Sequence, residues 1–210
     1  MAVILKRAQV FYDNIWRPTY TFSYANNADC LIICANMYNG IPDTITFNGI
    51  PMTEAVNSRG QNSGASVWIL TGAPKMTANI YITGGHQGHM MCHCSSWDGI
   101  SRQDTIRDTC SANGINVSQI TCTLATLQNN DLCIYHAAVD EEFAIWSYLC
   151  TQMTTRTASG GDIASVAGYE IADAATESGG GQWEAGANAH CVAAAAFKAA
   201  AMGDQVVWIM

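Results

Sequence analysis

Apolar and polar positions along this chain alternate in short runs, each closed by a turn signal. "TYTFSYANNADCLIICANMYNG" closes at Asn39-Gly40, and "DTITFNGIPMTEAV" carries Asn48-Gly49 between two alternating runs. Both residues of a two-residue turn need φ > 0, which Asn-Gly tolerates, so that pair predicts a hairpin. "ASVWILTGAP", "TANIYITGG", "GHMMCHCSSWDG", "VSQITCTLAT", "DLCIYHAAVD", "ASVAGYEIADAAT" and "NAHCVAAAAF" follow, most of them bounded by Gly, Asn, Asp or Pro. Strands at intervals of about 8–15 residues, without helical periodicity between them, predict an antiparallel β-sandwich or jelly roll rather than βαβ units. Pro18, Pro42, Pro51 and Pro74 fall at predicted strand ends or turns, where a missing N–H is tolerated.

Two segments fit this pattern less well. "EEFAIWSYLCTQM" spaces Phe143, Trp146 and Cys150 at i, i+3 and i+7, which suits one or two helical turns. "VAAAAFKAAAM" has the highest helix propensity in the chain. The glycine-rich "ESGGGQWEAGAN" reads as a long loop, and no internal repeat, linker or break in composition is legible. The expected organisation is one domain: an N-terminal arm over 1–18, a jelly-roll β-sandwich over 19–200, and a C-terminal tail over 201–210.

Composition narrows the class. Charged residues are 12% of the 210, about half the ~25% of ordinary soluble domains, while apolar residues reach 49%. No window approaches the ~18 uninterrupted apolar residues of a membrane helix, so no membrane partner is expected. The net charge is −8 and the only basic cluster is Lys6-Arg7, which argues against nucleic acid as a partner. The start, "MAVILKRAQVFYDN", lacks the charged and apolar regions of a secretion signal. Nine cysteines, mostly inside apolar runs, read as small buried hydrophobes made in a reducing cytosol.

The order of segments carries a resemblance. "ITFNGIPMT" is followed by "SVWILTGAP", "NIYIT" and a small-residue strand ending in "SSWDGI"; later come "NNDLCIYHAAV", "GGGQWEAGANAH" and "CVAAAAFKAA". Over about residues 20–200 this resembles the concanavalin-like jelly-roll domain of bacteriophage structural proteins and bacterial surface proteins. The resemblance implies that the alanine-rich segment is the last strand, against its helix propensity, and it brings no catalytic residues and no cofactor. It further implies a non-enzymatic virion protein, with a capsid decoration (cement) protein as the first expectation. Its expected partners are other virion proteins of the capsid and further copies of itself, in a homo-oligomer for which a trimer is one arrangement. The arm and tail lie outside the matched part, so Val3, Leu5, Phe11, Val207 and Trp208 are the expected subunit contacts.

The candidate chemistry is sparse. "GHQGHMMCHCSSW" holds His86, His89, His93, Cys92 and Cys94, but side chains alternate along a strand. Cys92 and Cys94 would share one face while His89 and His93 take the other, so no metal site is expected. Asp140, Glu141 and Glu142 are adjacent in sequence, and neighbours rarely flank one scissile bond, so a solvated loop is the expectation. The alternative to a cement protein is a tail-fibre or tail-tip module recognising host surface glycan. Trp183 in the glycine-rich loop would be its platform, with Gln182 and Asn188 beside it. The competing expectation for that tryptophan is a lid folded over the core.

Overall fold

Two strands, β1 (Ile4–Ala25) and β7 (Thr77–Asp98), are each 22 residues long and pair antiparallel from end to end. This computed structural model describes residues 2–115, 117–140, 145–157, 163–187 and 190–201. Ile4 lies opposite Asp98 and Ala25 opposite Thr77, so a straight ribbon would hold its two ends roughly 65 Å apart. Instead, Tyr24 Oη lies 2.9 Å from Ser96 Oγ, and Phe11 stacks on Phe22 with ring centroids 5.2 Å apart. The ribbon is therefore doubled over on itself. The fold line falls at the register breaks between Asp13 and Thr19, where Pro18 withholds a ladder N–H and glycines 84, 85 and 88 lie on the facing strand.

Each half of the ribbon recruits further strands. The half holding residues 90–98 pairs with β2 (Cys30–Tyr38), which pairs with β6 (Ser63–Thr71) and through it with β5 (Thr53–Arg59). The half holding residues 77–83 pairs with β3 (Thr44–Phe47), which turns through Asn48 (φ 51°) and Gly49 (φ 77°) into β4 (Ile50–Pro51). Two facing sheets rolled from one ribbon make a jelly roll. Residues 4–18, expected as a separate arm, are the first part of β1 and pair with β7 within the sandwich.

The second half of the chain repeats this plan. β8 (Ile106–Gly114) and β9 (Val117–Leu124) pair with β15 (His190–Phe197) and β14 (Glu177–Ala187). β10 (Leu132–Val139) pairs with β15 and with β13 (Ala164–Ile171), β13 pairs with β12 (Thr151–Thr157), and β14 pairs with β11 (Ile145–Tyr148). Cys30 sits between Thr71 and Trp97 as Leu132 sits between Ile171 and Phe197. Even a bulge recurs: Glu54/Val56 opposite Trp68/Val67 matches Gln152/Thr154 opposite Gly168/Ala167. The chain is thus a structural repeat, where the sequence showed none, because paired positions keep their geometry and not their residues.

The two jelly rolls pack back to back in four layers with three cores. Even positions of β2 (Cys30, Ile32, Cys34) meet Leu132, Ile134, Ala193 and Phe197 of the other roll, while odd positions (Leu31, Ile33, Ala35) meet Ile80, Ile82, Phe47 and Cys92 of their own. In the second roll Tyr135 and Ala137 of β10 meet Ile120, Cys122, Ile145 and Trp183. The inner strands β2, β10 and β15 are therefore buried on both faces almost throughout, and their sequences are continuous apolar runs. The outer β9 is buried on alternate residues, as a one-sided strand should be.

Burial explains the segments that resisted sequence reading. The alanine run His190–Phe197 is a central strand with no exposed residue, and tertiary packing overrides helix propensity there. "IWSY" and "TQMTTRT" are strands β11 and β12 rather than helical turns. The glycine-rich stretch is strand β14, not a loop. A Cβ on Gly179 would lie 2.7 Å from the Tyr135 ring, and one on Gly181 would lie 2.5 Å from Ala137 Cβ. Glycine is what lets the outer sheet close over a tyrosine. Two of the nine cysteines are not free either: Cys110 of β8 and Cys122 of β9 form a disulfide.

Candidate functional site

On the outermost sheet of the first roll, strand alternation sorts side chains cleanly. Ile80 and Ile82 of β7 are fully buried, so Asn79, Tyr81 and Thr83 face outward. Thr21 and Ser23 of β1 and Thr44 and Thr46 of β3 face the same way. The pairing register places Thr21 and Thr46 on either side of Tyr81, and Ser23 beside Asn79. Thr44 and Thr83 share a hydroxyl–hydroxyl hydrogen bond of 2.7 Å, and the Asn48 N–H donates to Asn79 O at 3.0 Å. Thr21, Ser23, Thr46, Asn48, Asn79 and Tyr81 line an open groove of about 730 Å³. Tyr81, at its centre, is 42% exposed. Every described residue of the lining is uncharged.

A second concavity of about 360 Å³ lies where the rolls meet, between Thr53, Ile69 and Thr71 of the first and Asp104, Thr105 and Ile106 at the start of the second. It carries a single carboxylate, Asp104.

The expected glycan platform is elsewhere and is not available. Trp183 is 1% exposed, packs in the core of the second roll, and donates Nε1–H to Val117 O at 2.7 Å. It is a core residue, which corrects its placement on an exposed loop. Gln182 is half-buried on the outward side of β14, opposite Trp146 and Gln119, and Asn188 lies outside the described residues. Among the expected subunit contacts, Val3 and Leu5 pack against the core between the rolls, and Phe11 stacks on Phe22. Those three serve the fold rather than a free arm. Val207 and Trp208 lie outside the described residues.

The histidine- and cysteine-bearing strand divides its side chains as alternation requires. Cys92 and Cys94 lie in the core of the first roll with sulfurs 3.3 Å apart. His93 faces the second roll, its Nδ1 2.7 Å from Thr154 Oγ1 and its Nε2 2.7 Å from Ser165 Oγ. The His136 ring of β10 meets it edge-on, with centroids 5.5 Å apart, and donates Nδ1–H to Ser66 O at 3.3 Å. Burial pushes both imidazoles toward the neutral form, His136 down to about 3 and His93 well below the usual 6.5. His89 sits against Tyr12, with Nδ1 3.3 Å from the phenol oxygen, and near the Tyr38 ring. Among the described residues no three His, Cys, Asp or Glu side chains converge on a point where a metal ion would sit. Burial raises the thiols too, Cys133 and Cys191 to about 12 and Cys150 to about 11, so they pack as thiols rather than act as nucleophiles. Asp140 accepts from Asn62 Nδ2 at 3.2 Å, while Glu141 and Glu142 lie outside the described residues.

Comparison with known proteins adds little. No protein-family profile and no curated protein matches the chain. Among solved structures it is similar to a conserved protein of unknown function from Pseudomonas aeruginosa, at 10% identity and a TM-score of 0.31, over 90% of this chain and 82% of that one. It is also similar to an anti-sigma factor domain-containing protein, at 7% identity and a TM-score of 0.20, over 86% and 74% of the two chains. Likeness at that level bears on neither function nor partners.

Proposed function

We propose that this protein is a non-enzymatic structural component of a bacteriophage particle, a decoration protein seated on the capsid through its sheet faces. The observation that carries the reading is the pair of opposed outer sheets. The four-layer stack spends its apolar faces inward, and turns a hydroxyl- and amide-rich face outward at each end. One end presents Thr21, Ser23, Thr44, Asn79 and Tyr81, and the other presents Gln119, Thr121 and Thr123. Uncharged side chains facing outward on opposite sides of the stack suit lateral and radial contacts in an ordered lattice, where a strong charge would repel identical neighbours. The resemblance to phage jelly-roll domains points the same way.

Quantitative mass spectrometry of particles purified from the source culture tests this. A copy number that matches the capsomers supports the decoration role. A few copies per particle, or none, overturns it. The second reading, a tail module that recognises host glycan, is favoured by one observation, the uncharged groove around Tyr81. A low copy number would shift the assignment to it.

A further inference from the structure

We propose that the groove on the outer face of β1, β7 and β3 is a binding site for a neutral saccharide, with Tyr81 as the ring against which a pyranose lies. The inference does not depend on where the protein sits on a particle, since a sugar site serves adhesion from either a capsid or a tail.

Three features of the groove select this ligand class. The first is shape: a volume of about 730 Å³ falls within the roughly 300–1,000 Å³ of small-ligand sites, and the groove is open along the sheet, as a chain-like ligand requires. The second is the aromatic surface. Tyr81 is the central side chain, 42% exposed, while Ile80 and Ile82 on either side of it are buried, so its backbone is fixed by the core. A tyrosine so held offers an apolar face to the C–H side of a sugar and a phenol to its hydroxyls, at little entropic cost. The third is polarity without charge. Thr21, Ser23 and Thr46 contribute hydroxyls, and Asn48 and Asn79 contribute amides. Each of these groups donates and accepts, which matches a polyhydroxyl ligand group for group. Phosphorylated, sialylated or uronic-acid ligands would call for Arg or Lys in the lining, and the net charge of −8 repels them.

The groove is also preorganised. Cross-strand register fixes Thr21 and Thr46 at equal steps from Tyr81, and the Asn48 N–H donated to Asn79 O ties the β3 turn to β7.

The test is a glycan array of neutral and acidic oligosaccharides probed with the full chain, followed by calorimetric titration of the best neutral hit. The expected result is saturable binding to neutral glycans, with Tyr81→Ala weakening it about tenfold or more and Tyr81→Phe retaining most of it. Thr21→Arg, which blocks the groove without removing the ring, is expected to abolish binding while the circular dichroism spectrum and melting temperature stay at the wild-type values. Silence across the neutral half of the array overturns the proposal. So does binding that survives both Tyr81→Ala and Thr21→Arg.

Discussion

Acid should loosen this protein at the seam between its two rolls, and the effect can be sized. His93 and His136 meet in the core between the rolls, where Thr154, Ser165 and Ser66 are their hydrogen-bonding neighbours. Each can be held neutral there, but a proton on His136 would place a charge beside His93, with only the Ser66 carbonyl to receive it. In the unfolded chain a histidine takes up its proton near 6.5, while in the folded chain His136 does so only at about 3. Between those values the unfolded state binds the extra proton. The unfolding free energy contributed by the group is therefore intact above pH 6.5 and is lost as pH falls below it, with a slope approaching about 1.4 kcal/mol per pH unit. From pH 7.5 to pH 5.0 the loss from His136 is about 2 kcal/mol.

The assay is urea unfolding of wild type and His136→Gln at pH 7.5, 6.5, 5.5 and 5.0. Glutamine keeps a side-chain N–H for Ser66 O and has no proton to gain. Carboxylates and His190, whose imidazole is also pushed down by burial, are common to both proteins and cancel in the difference. The variant should lose about 2 kcal/mol less than wild type over this range. Equal pH dependence in the two proteins would refute the argument that burial holds His136 neutral.

Three further outcomes are expected. Gly179→Ala should cost about 2 kcal/mol in urea unfolding, because the new methyl meets the Tyr135 ring at 2.7 Å; a loss below about 0.5 kcal/mol would mean the two layers are not in contact there. Reducing the Cys110–Cys122 bridge, which spans 12 residues, should lower the unfolding free energy by about 3 kcal/mol, and Cys110→Ala should be insensitive to reductant. Trp183→Phe should destabilise by about 1–2 kcal/mol through the lost bond to Val117 O and leave saccharide titrations unchanged; a change in saccharide affinity would return Trp183 to the binding surface.

How much of this was legible in the sequence follows from which faces each strand buries. Asn48-Gly49 announced its hairpin because a positive φ at both positions has a residue signature. "VSQITCTL" showed its alternation because β9 covers a core on one side only. The inner strands β2, β10 and β15 gave unbroken apolar runs, which mark burial but not which neighbour lies on which side. The repeat was hidden for the same reason: Ile33 and Ile80 of one core are answered in the other by Tyr135 and Gly179, a large-with-small exchange that keeps the layers in contact and erases identity. The same exchange made "SGGGQW" look like a loop and Trp183 look exposed. Tyr81 did carry a signal, since "NIYIT" alternates two isoleucines with Asn, Tyr and Thr, which sets the tyrosine on a polar face. That signal is weak beside six tryptophans, the larger aromatic platforms in the chain. The Cys110–Cys122 pairing had no local signature, as it depends on β8 and β9 lying in facing sheets.

The most direct measurement is a cryo-electron microscopy reconstruction of phage particles purified from the source culture. The account predicts four-layered density repeated over the capsid lattice, with an outermost sheet of the stack forming the contact. Density confined to the tail, or a capsid contact made through neither outer sheet, would contradict it.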